Sequence, residues 1–159
     1  VAFAITVFSY RAIIKQYFFV LIVSSSVSML VGILSSWLLA SMFNFDEILK
    51  NSLLARSISI PFALELTEKI GGSISLIPLF TVITGLVGML FGDFLLLWMR
   101  YKNSIAQGAA LGNAAHAMGI ARARQRHELE GVIASLSMII SGIIMVLFAP
   151  FMISLMRGC

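Results

Sequence analysis

The sequence predicts an all-α polytopic membrane protein, built as an inverted repeat of a re-entrant or broken helix plus a transmembrane helix. The 159 residues are 60% hydrophobic and only 11% charged, whereas a soluble domain carries about 25% charged residues. Three apolar runs reach the roughly 20 residues that a spanning helix needs. Two polar, interrupted segments separate these runs, and together the three observations indicate an integral membrane protein.

The predicted domain is a single membrane domain over residues 1–159, with spans at about 16–43, 74–99 and 132–156. The apolar residues 1–8 precede Arg11 and Lys15, whereas a signal peptide places its charges before its apolar run. We therefore expect a C-terminal portion of a longer protein whose N-terminal spans are missing.

The two interrupted segments lie at about residues 47–72 and 103–127. In the first, the uncharged run 57–64 is too short to span, and Pro61 breaks a helix at about Ile60 because it lacks a backbone donor. The second is polar and rich in glycine, and we expect Gly112 and Gly119 to provide its break.

An internal repeat relates these segments. A shift of 57 residues places TGLVGMLF (84–91) over SGIIMVLF (141–148), and it also pairs Ser59 with His116. Matches among apolar residues arise readily by chance, but the order of elements, a broken segment followed by a span, also repeats. This agreement favours a duplication.

The distribution of basic residues predicts the topology. With residues 11–15 on the cytoplasmic side, seven Lys and Arg lie inside and four lie outside, as the positive-inside rule requires. Each broken segment then begins and ends on one side, and the two enter from opposite faces. Two unwound helices that each cross the membrane are the alternative, which the basic bias disfavours.

Irregular backbone at membrane depth survives only inside protein or beside a water-filled cavity, and paired broken helices place a substrate site near the midplane. The predicted substrate-binding residues lie on both segments, and Pro61, Gly112 and Gly119 are the predicted structural break. The substrate-binding set is Arg56, Ser57, Ser59, Asn113, His116 and Arg122.

Each candidate also has a structural interpretation. The arginines fit a carboxylate because the guanidinium fork matches its two oxygens, but an arginine also anchors a segment at the interface. For Arg122 the two interpretations are equally supported. Ser57, Ser59 and Asn113 either bind an anion or cap the broken helices. His116 binds a carboxylate, couples a proton, or hydrogen-bonds a neighbouring carbonyl.

At these segments the sequence resembles the LrgB/CidB family of bacterial membrane proteins. A family signature of roughly PKSVTTPIA corresponds to ARSISIPFA (55–63), and roughly LGTASHGIGTARA corresponds to LGNAAHAMGIARA (111–123), followed by Glu130-Gly131. The chain departs from the pattern at Ile60, Asn113, Ala115 and Ile120. The resemblance implies a holin-like LrgA/CidA membrane partner and a link to murein hydrolase control and autolysis, and some relatives resemble small-carboxylate transporters.

The favoured hypothesis is a small-carboxylate translocator or permeability factor linked to autolysis, in the bacterial cytoplasmic (inner) membrane as a multi-pass protein. The alternative is a non-transporting regulatory subunit that assembles with the LrgA/CidA-type partner. The sequence has no catalytic triad, metal-ligand cluster or phosphate-binding glycine loop, so we expect no enzyme activity and no cofactor. We expect contact with the lipid bilayer, a homo-oligomer, and no nucleic-acid partner because the basic residues cluster at span ends.

Overall fold

The computed structural model describes residues 8–100 and 103–157, and within these residues the chain is helical without strands. The helices are α1 (Arg11–Met42), α2 (Glu47–Ala55), α3 (Ile60–Ile70), a 3-10 turn (Ile74–Leu76), α4 (Ile77–Trp98), α5 (Ser104–Arg126) and α6 (Glu128–Arg157).

Three helical stretches are long and apolar enough to cross a membrane: Arg11–Met42, Ile74–Trp98 and Glu128–Phe148. Their outward faces are strongly apolar, since Phe19 on α1 and Leu97 on α4 are each 76% exposed. A water-facing surface of this kind would be costly, whereas lipid accommodates it. The fold is therefore an all-helical membrane fold with three candidate spans, as the sequence predicts.

Helices α2 and α3 form the first hairpin, residues 47–70. The amide nitrogen of Asn51 donates to the Ile70 carbonyl at 2.7 Å, and the Ser73 N–H donates to Ser52 Oγ at 2.8 Å. These bonds tie the end of α3 and the residues just after it to the middle of α2, so the chain reverses between the two helices. Pro61 lies in the first turn of α3, where its missing N–H has no partner to lose. The break is thus at residues 56–59, and Pro61 begins the returning helix.

Helix α5 is the second hairpin, because its helical geometry is interrupted at His116 (φ 50°, ψ −132°). A Cβ added at Gly119 would overlap the carbonyl oxygen of Leu111, although eight residues of unbroken helix would separate the two by about 12 Å. The chain therefore folds back at His116. Gly112 and Gly119 lie in the helical turns on either side, so the expectation that they provide the break is corrected: they provide close packing around it.

The second hairpin packs tightly between α4 and α6. A Cβ added at Gly112 would overlap the backbone of Ala134 on α6, and one at Gly88 of α4 would lie 2.8 Å from the Ala114 carbonyl oxygen. Small residues permit this close helix approach in lipid, where packing rather than water exclusion drives association. The first hairpin instead packs through larger side chains: Leu54, Ile58 and Leu66 join Ile33 of α1 and Met145 of α6 in one apolar cluster.

A cavity between the two hairpin tips

The tips of the two hairpins meet in a cavity of about 190 Å³. Four of the six predicted substrate-binding residues line it together, Arg56 and Ser57 from the first tip and Asn113 and His116 from the second. Helix α1 closes one side of the cavity with Ser28, Val31 and Gly32, and α4 closes another with Thr84. No lining residue is acidic, so the cavity carries positive charge and favours an anion.

Arg56 supplies that charge. Its Nη1 donates to Thr84 Oγ1 at 3.1 Å, and in residues 8–100 and 103–157 no carboxylate forms an ion pair with it. A guanidinium has five N–H donors, and an arginine at membrane depth costs about 2.5–3.5 kcal/mol or more unless it is compensated. Most of its donors thus remain available to a bound anion, which is the compensation that the protein itself does not provide.

His116 is buried, with 3% of its surface exposed. The backbone of Arg56 makes a weak hydrogen-bond contact with its ring, but neither ring nitrogen makes a hydrogen bond of normal geometry among the described residues. Buried polar groups nearly always have partners. Its positive φ adds a backbone strain of about 1–3 kcal/mol that a glycine would not have. The fold therefore holds an unpartnered imidazole at a strained position, which is typical of a functional residue.

Asn113 and Ser57 complete the polar wall. The Asn113 side-chain oxygen lies 3.2 Å from Ser25 Oγ and shares the single proton of that hydroxyl with the Ser137 carbonyl at 3.3 Å, an orientation that leaves the amide N–H groups as donors. Ser57 Oγ would lie 3.0 Å from a Cβ added at Gly32, so a glycine on α1 is what lets the first tip approach so closely.

Ser59 lies in a neighbouring cavity of about 280 Å³, which His116 also lines together with Pro61, Thr81 and Gly85. His116 therefore forms the wall between the two cavities. In the main chain, Ser59 precedes α3 as its N-terminal cap residue, but its side chain makes no capping hydrogen bond. The hydroxyl therefore does not cap the N-terminus of α3.

Arg122 does not line either cavity. It lies on the returning half of the second hairpin, where its side chain pairs with Asp93 of α4. Arg126 joins the same group, at 3.6 Å from Asp93 and 3.3 Å from Glu130. Because the chain folds back at His116, the helix carries Arg122 away from the tip. The pairing of Asp93 with a basic residue tethers the second hairpin to α4.

Two lining residues were missed by the sequence reasoning. Thr84 and Ser28 read as ordinary packing residues of apolar spans, since small and hydroxyl residues are common where helices touch. The available signal was that Thr84 stands directly before Gly85 in the repeated stretch. As to metals, no group of three or more His, Cys, Asp or Glu side chains is suitably placed in the described part of the chain.

The helices and the cavity define an integral membrane protein in which two helical hairpins enclose a positively charged site. The sequence model of the LrgB-like family matches residues 1–155, and the chain belongs to that family, which confirms the resemblance inferred from the two motifs.

The chain is 34% identical to the uncharacterized protein YwbG of Bacillus subtilis over 156 residues, which covers 98% of this chain and 69% of YwbG. It is 33% identical to the holin-like protein CidB of Staphylococcus aureus, covering 80% of this chain and 58% of CidB. The holin-like protein CidB of Staphylococcus epidermidis is 30% identical, with 89% and 62% covered. The chain thus spans about three fifths of the length of these CidB proteins. No solved structure matches it. With its candidate spans, this kinship indicates a bacterial membrane protein.

Proposed function

We propose that this protein binds small carboxylates between its hairpin tips and translocates them, or makes the membrane permeable to them. The observation that carries the proposal is the unpaired Arg56 facing the unpartnered His116 across a cavity without acidic lining. The guanidinium fork matches the two oxygens of a carboxylate. The amide of Asn113 and the hydroxyl of Ser57 add neutral donors. Such binding needs no covalent step, metal or cofactor, so the proposed function involves no enzyme activity.

We further propose that the two halves form an inverted repeat. Each cavity contains residues that are 57 positions apart in the sequence, as the repeat alignment requires. Arg56 and Asn113 form such a pair in the first cavity, and Ser59 and His116 form one in the second. The second cavity contains three more such pairs, Ile60 with Ala117, Pro61 with Met118 and Thr81 with Met138. This recurrence supports a pseudo-twofold axis that runs between the tips.

Packing of the spans supports the same symmetry. Gly85 of α4 approaches Ala115 and Met118 of the second hairpin, and its counterpart Gly142 of α6 approaches Phe62 of the first. Each span thus packs on the hairpin of the other half. The ends of the first hairpin lie where α4 begins, and the ends of the second lie where α4 has finished, which supports entry from opposite faces of the cytoplasmic membrane. This arrangement suits alternating access to one central site.

Uptake into vesicles that contain the purified full-length protein tests the proposal. Arg56→Ala should lower saturable uptake of glycolate, lactate or pyruvate at least about tenfold, since a buried charged hydrogen bond contributes roughly 1.5–3 kcal/mol. Arg122→Ala is the matched control, because it removes a guanidinium from outside the cavity. Equal uptake by wild type and Arg56→Ala would contradict a carboxylate site at the tips.

The second candidate is a regulatory subunit that assembles with an LrgA/CidA-type partner and modulates murein hydrolase activity and autolysis. The name holin-like, carried by the CidB relatives, favours it. This candidate predicts that His116→Gly leaves autolysis of intact cells unchanged, whereas the translocator predicts its loss. Homo-oligomer formation is part of the proposal under both candidates, and cross-linking in native membranes measures it.

A further inference from the structure

Three cavities adjoin one another along α1. A groove of about 550 Å³ between α1 and the first half of α5 includes Ser28 and Asn113, which also line the cavity at the tips. On the other side, a pocket of about 310 Å³ includes Arg56 and Thr84, which line the tip cavity as well. Shared walls make the three spaces neighbours in a row, with the proposed carboxylate site in the middle.

One face of α1 borders all three spaces. Tyr17, Ser24, Ser28, Gly32, Leu39 and Phe43 line these spaces at intervals of four or seven residues, which places them on one stripe of the helix. Val20, Leu21, Val27 and Val31 line the spaces beside this stripe. From Tyr17 to Phe43 the helix rises by about 39 Å, more than the roughly 30 Å of a hydrocarbon core. The residues that line the three cavities therefore cover a length of α1 greater than the thickness of a hydrocarbon core.

The packed face of α1 is a different one. Leu21, at the border of the groove, marks its edge, and Ser25 and Ser36 are buried in it. Ser26 and Ser35 bond carbonyl groups of their own helix, Ile22 and Gly32 respectively. Ser25 contacts Asn113 and the Ser137 carbonyl, whereas Ser24, which bonds the Leu21 carbonyl, and Ser28 line the groove.

We infer that this stripe of α1 forms one wall of the permeation path, with two polar constrictions at either side of the site. Asn113 and Ser28 separate the site from the groove at the Tyr17 end. Arg56 and Thr84 separate it from the pocket at the Phe43 end, which also contains Phe45, stacked on Phe43 with ring centroids 5.7 Å apart. The inference rests on the proposed translocation function, because it assigns the route to that site.

Cysteine accessibility in the full-length protein tests the path without requiring transport. In a Cys159→Ser background, Ser24→Cys and Leu39→Cys place thiols on the stripe, whereas Ser26→Cys and Leu38→Cys place them one or two residues away on other faces. A water-soluble methanethiosulfonate is added to either side of sealed vesicles. Stripe thiols should react at least about tenfold faster than their controls, because only a hydrated thiol ionises to the reactive thiolate.

The side of attack is also specified. Ser24→Cys should react from the Tyr17 side and Leu39→Cys from the Phe43 side, and bound glycolate should slow the reaction of Ser28→Cys. Reactive stripe thiols without any carboxylate uptake would support the path and overturn the proposed substrate. Normal uptake with stripe thiols no more reactive than Ser26→Cys and Leu38→Cys would overturn the path and leave the translocation function standing.

Discussion

Both broken segments fold back as helical hairpins, but different contacts hold them together. In the first, the Asn51 amide donates to Ile70 at the end of α3 and Ser52 Oγ accepts from the N–H of Ser73 just beyond it, and four residues make the turn. In the second, one strained residue, His116, makes the turn, and glycines allow backbone to touch backbone. The first hairpin contributes the guanidinium of the cavity, and the second contributes the imidazole.

In the proposed repeat, the two hairpins would keep a common fold-back while the contacts that hold them differ. The 57-residue shift aligns Arg56 with Asn113 and Ser59 with His116. Both members of the first pair line the cavity at the tips, and both members of the second pair line the neighbouring cavity. In each pair one position carries the ionisable group and the other carries a smaller polar group. Two like charges at the axis would repel strongly in a low-dielectric site. An unequal pair gives the cavity charge without that repulsion, at the expense of exact symmetry.

Adding one methyl group at Gly112 should have the largest effect on stability. Its Cβ would overlap the backbone of Ala134, which cannot rotate away as a side chain can. We expect Gly112→Ala to cost about 3 kcal/mol and to lower the thermal midpoint in detergent sharply. Gly92→Ala is the control: its Cβ would approach only the flexible end of Leu111, at 2.9 Å. Similar midpoints for both variants would show that the second hairpin does not depend on backbone contact.

The second-largest loss of stability is expected when a side-chain hydrogen bond of the first hairpin is removed. Asn51→Ala removes the donor to the Ile70 carbonyl in a buried setting, which we expect to cost about 1–3 kcal/mol. Ser35→Ala serves as the reference, since its hydroxyl bonds only a carbonyl of its own helix. Thermal unfolding of both variants measures the difference. Equal midpoints for Asn51→Ala and Ser35→Ala would show that the Asn51 hydrogen bond does not stabilise the first hairpin.

The strained turn of the second hairpin gives the smallest change in stability, with the opposite sign. His116→Gly relaxes the positive φ and removes a buried imidazole without a partner, so we expect a gain of about 1 kcal/mol. Uptake should fall at the same time. Ala121→Gly, in the helical part of the same hairpin, should instead lose about 1 kcal/mol. A His116→Gly variant that is less stable than wild type would contradict the strain at this residue.

Much of the fold follows from pattern alone. The three spans are apolar runs of sufficient length, and Pro61 indicates the first turn of a new helix. The location of the second break was harder, because glycine serves both turns and close packing. Gly112 and Gly119 serve close packing, and His116 makes the turn.

The site was predictable where chemistry is unusual for its surroundings. Arg56, Asn113 and His116 are polar groups between apolar runs, and the structure brings them to one cavity. Arg122 was grouped with them because its guanidinium fits a carboxylate. The fold-back at His116 sends this residue away from the tip, and a linear sequence does not reveal that reversal. Thr84 and Ser28 went unnoticed because hydroxyl groups in spans usually only pack.

The two hairpin tips are proposed to form a single carboxylate site. A double-mutant cycle on vesicle uptake tests it most directly, with Arg56→Ala, His116→Gly and the combined variant measured against wild type. If both groups act on one bound carboxylate, the combined variant should lose little more uptake than the worse single variant, with a coupling of about 0.5–3 kcal/mol. Losses that simply add would mean that the two side chains act independently, and the shared site would be contradicted.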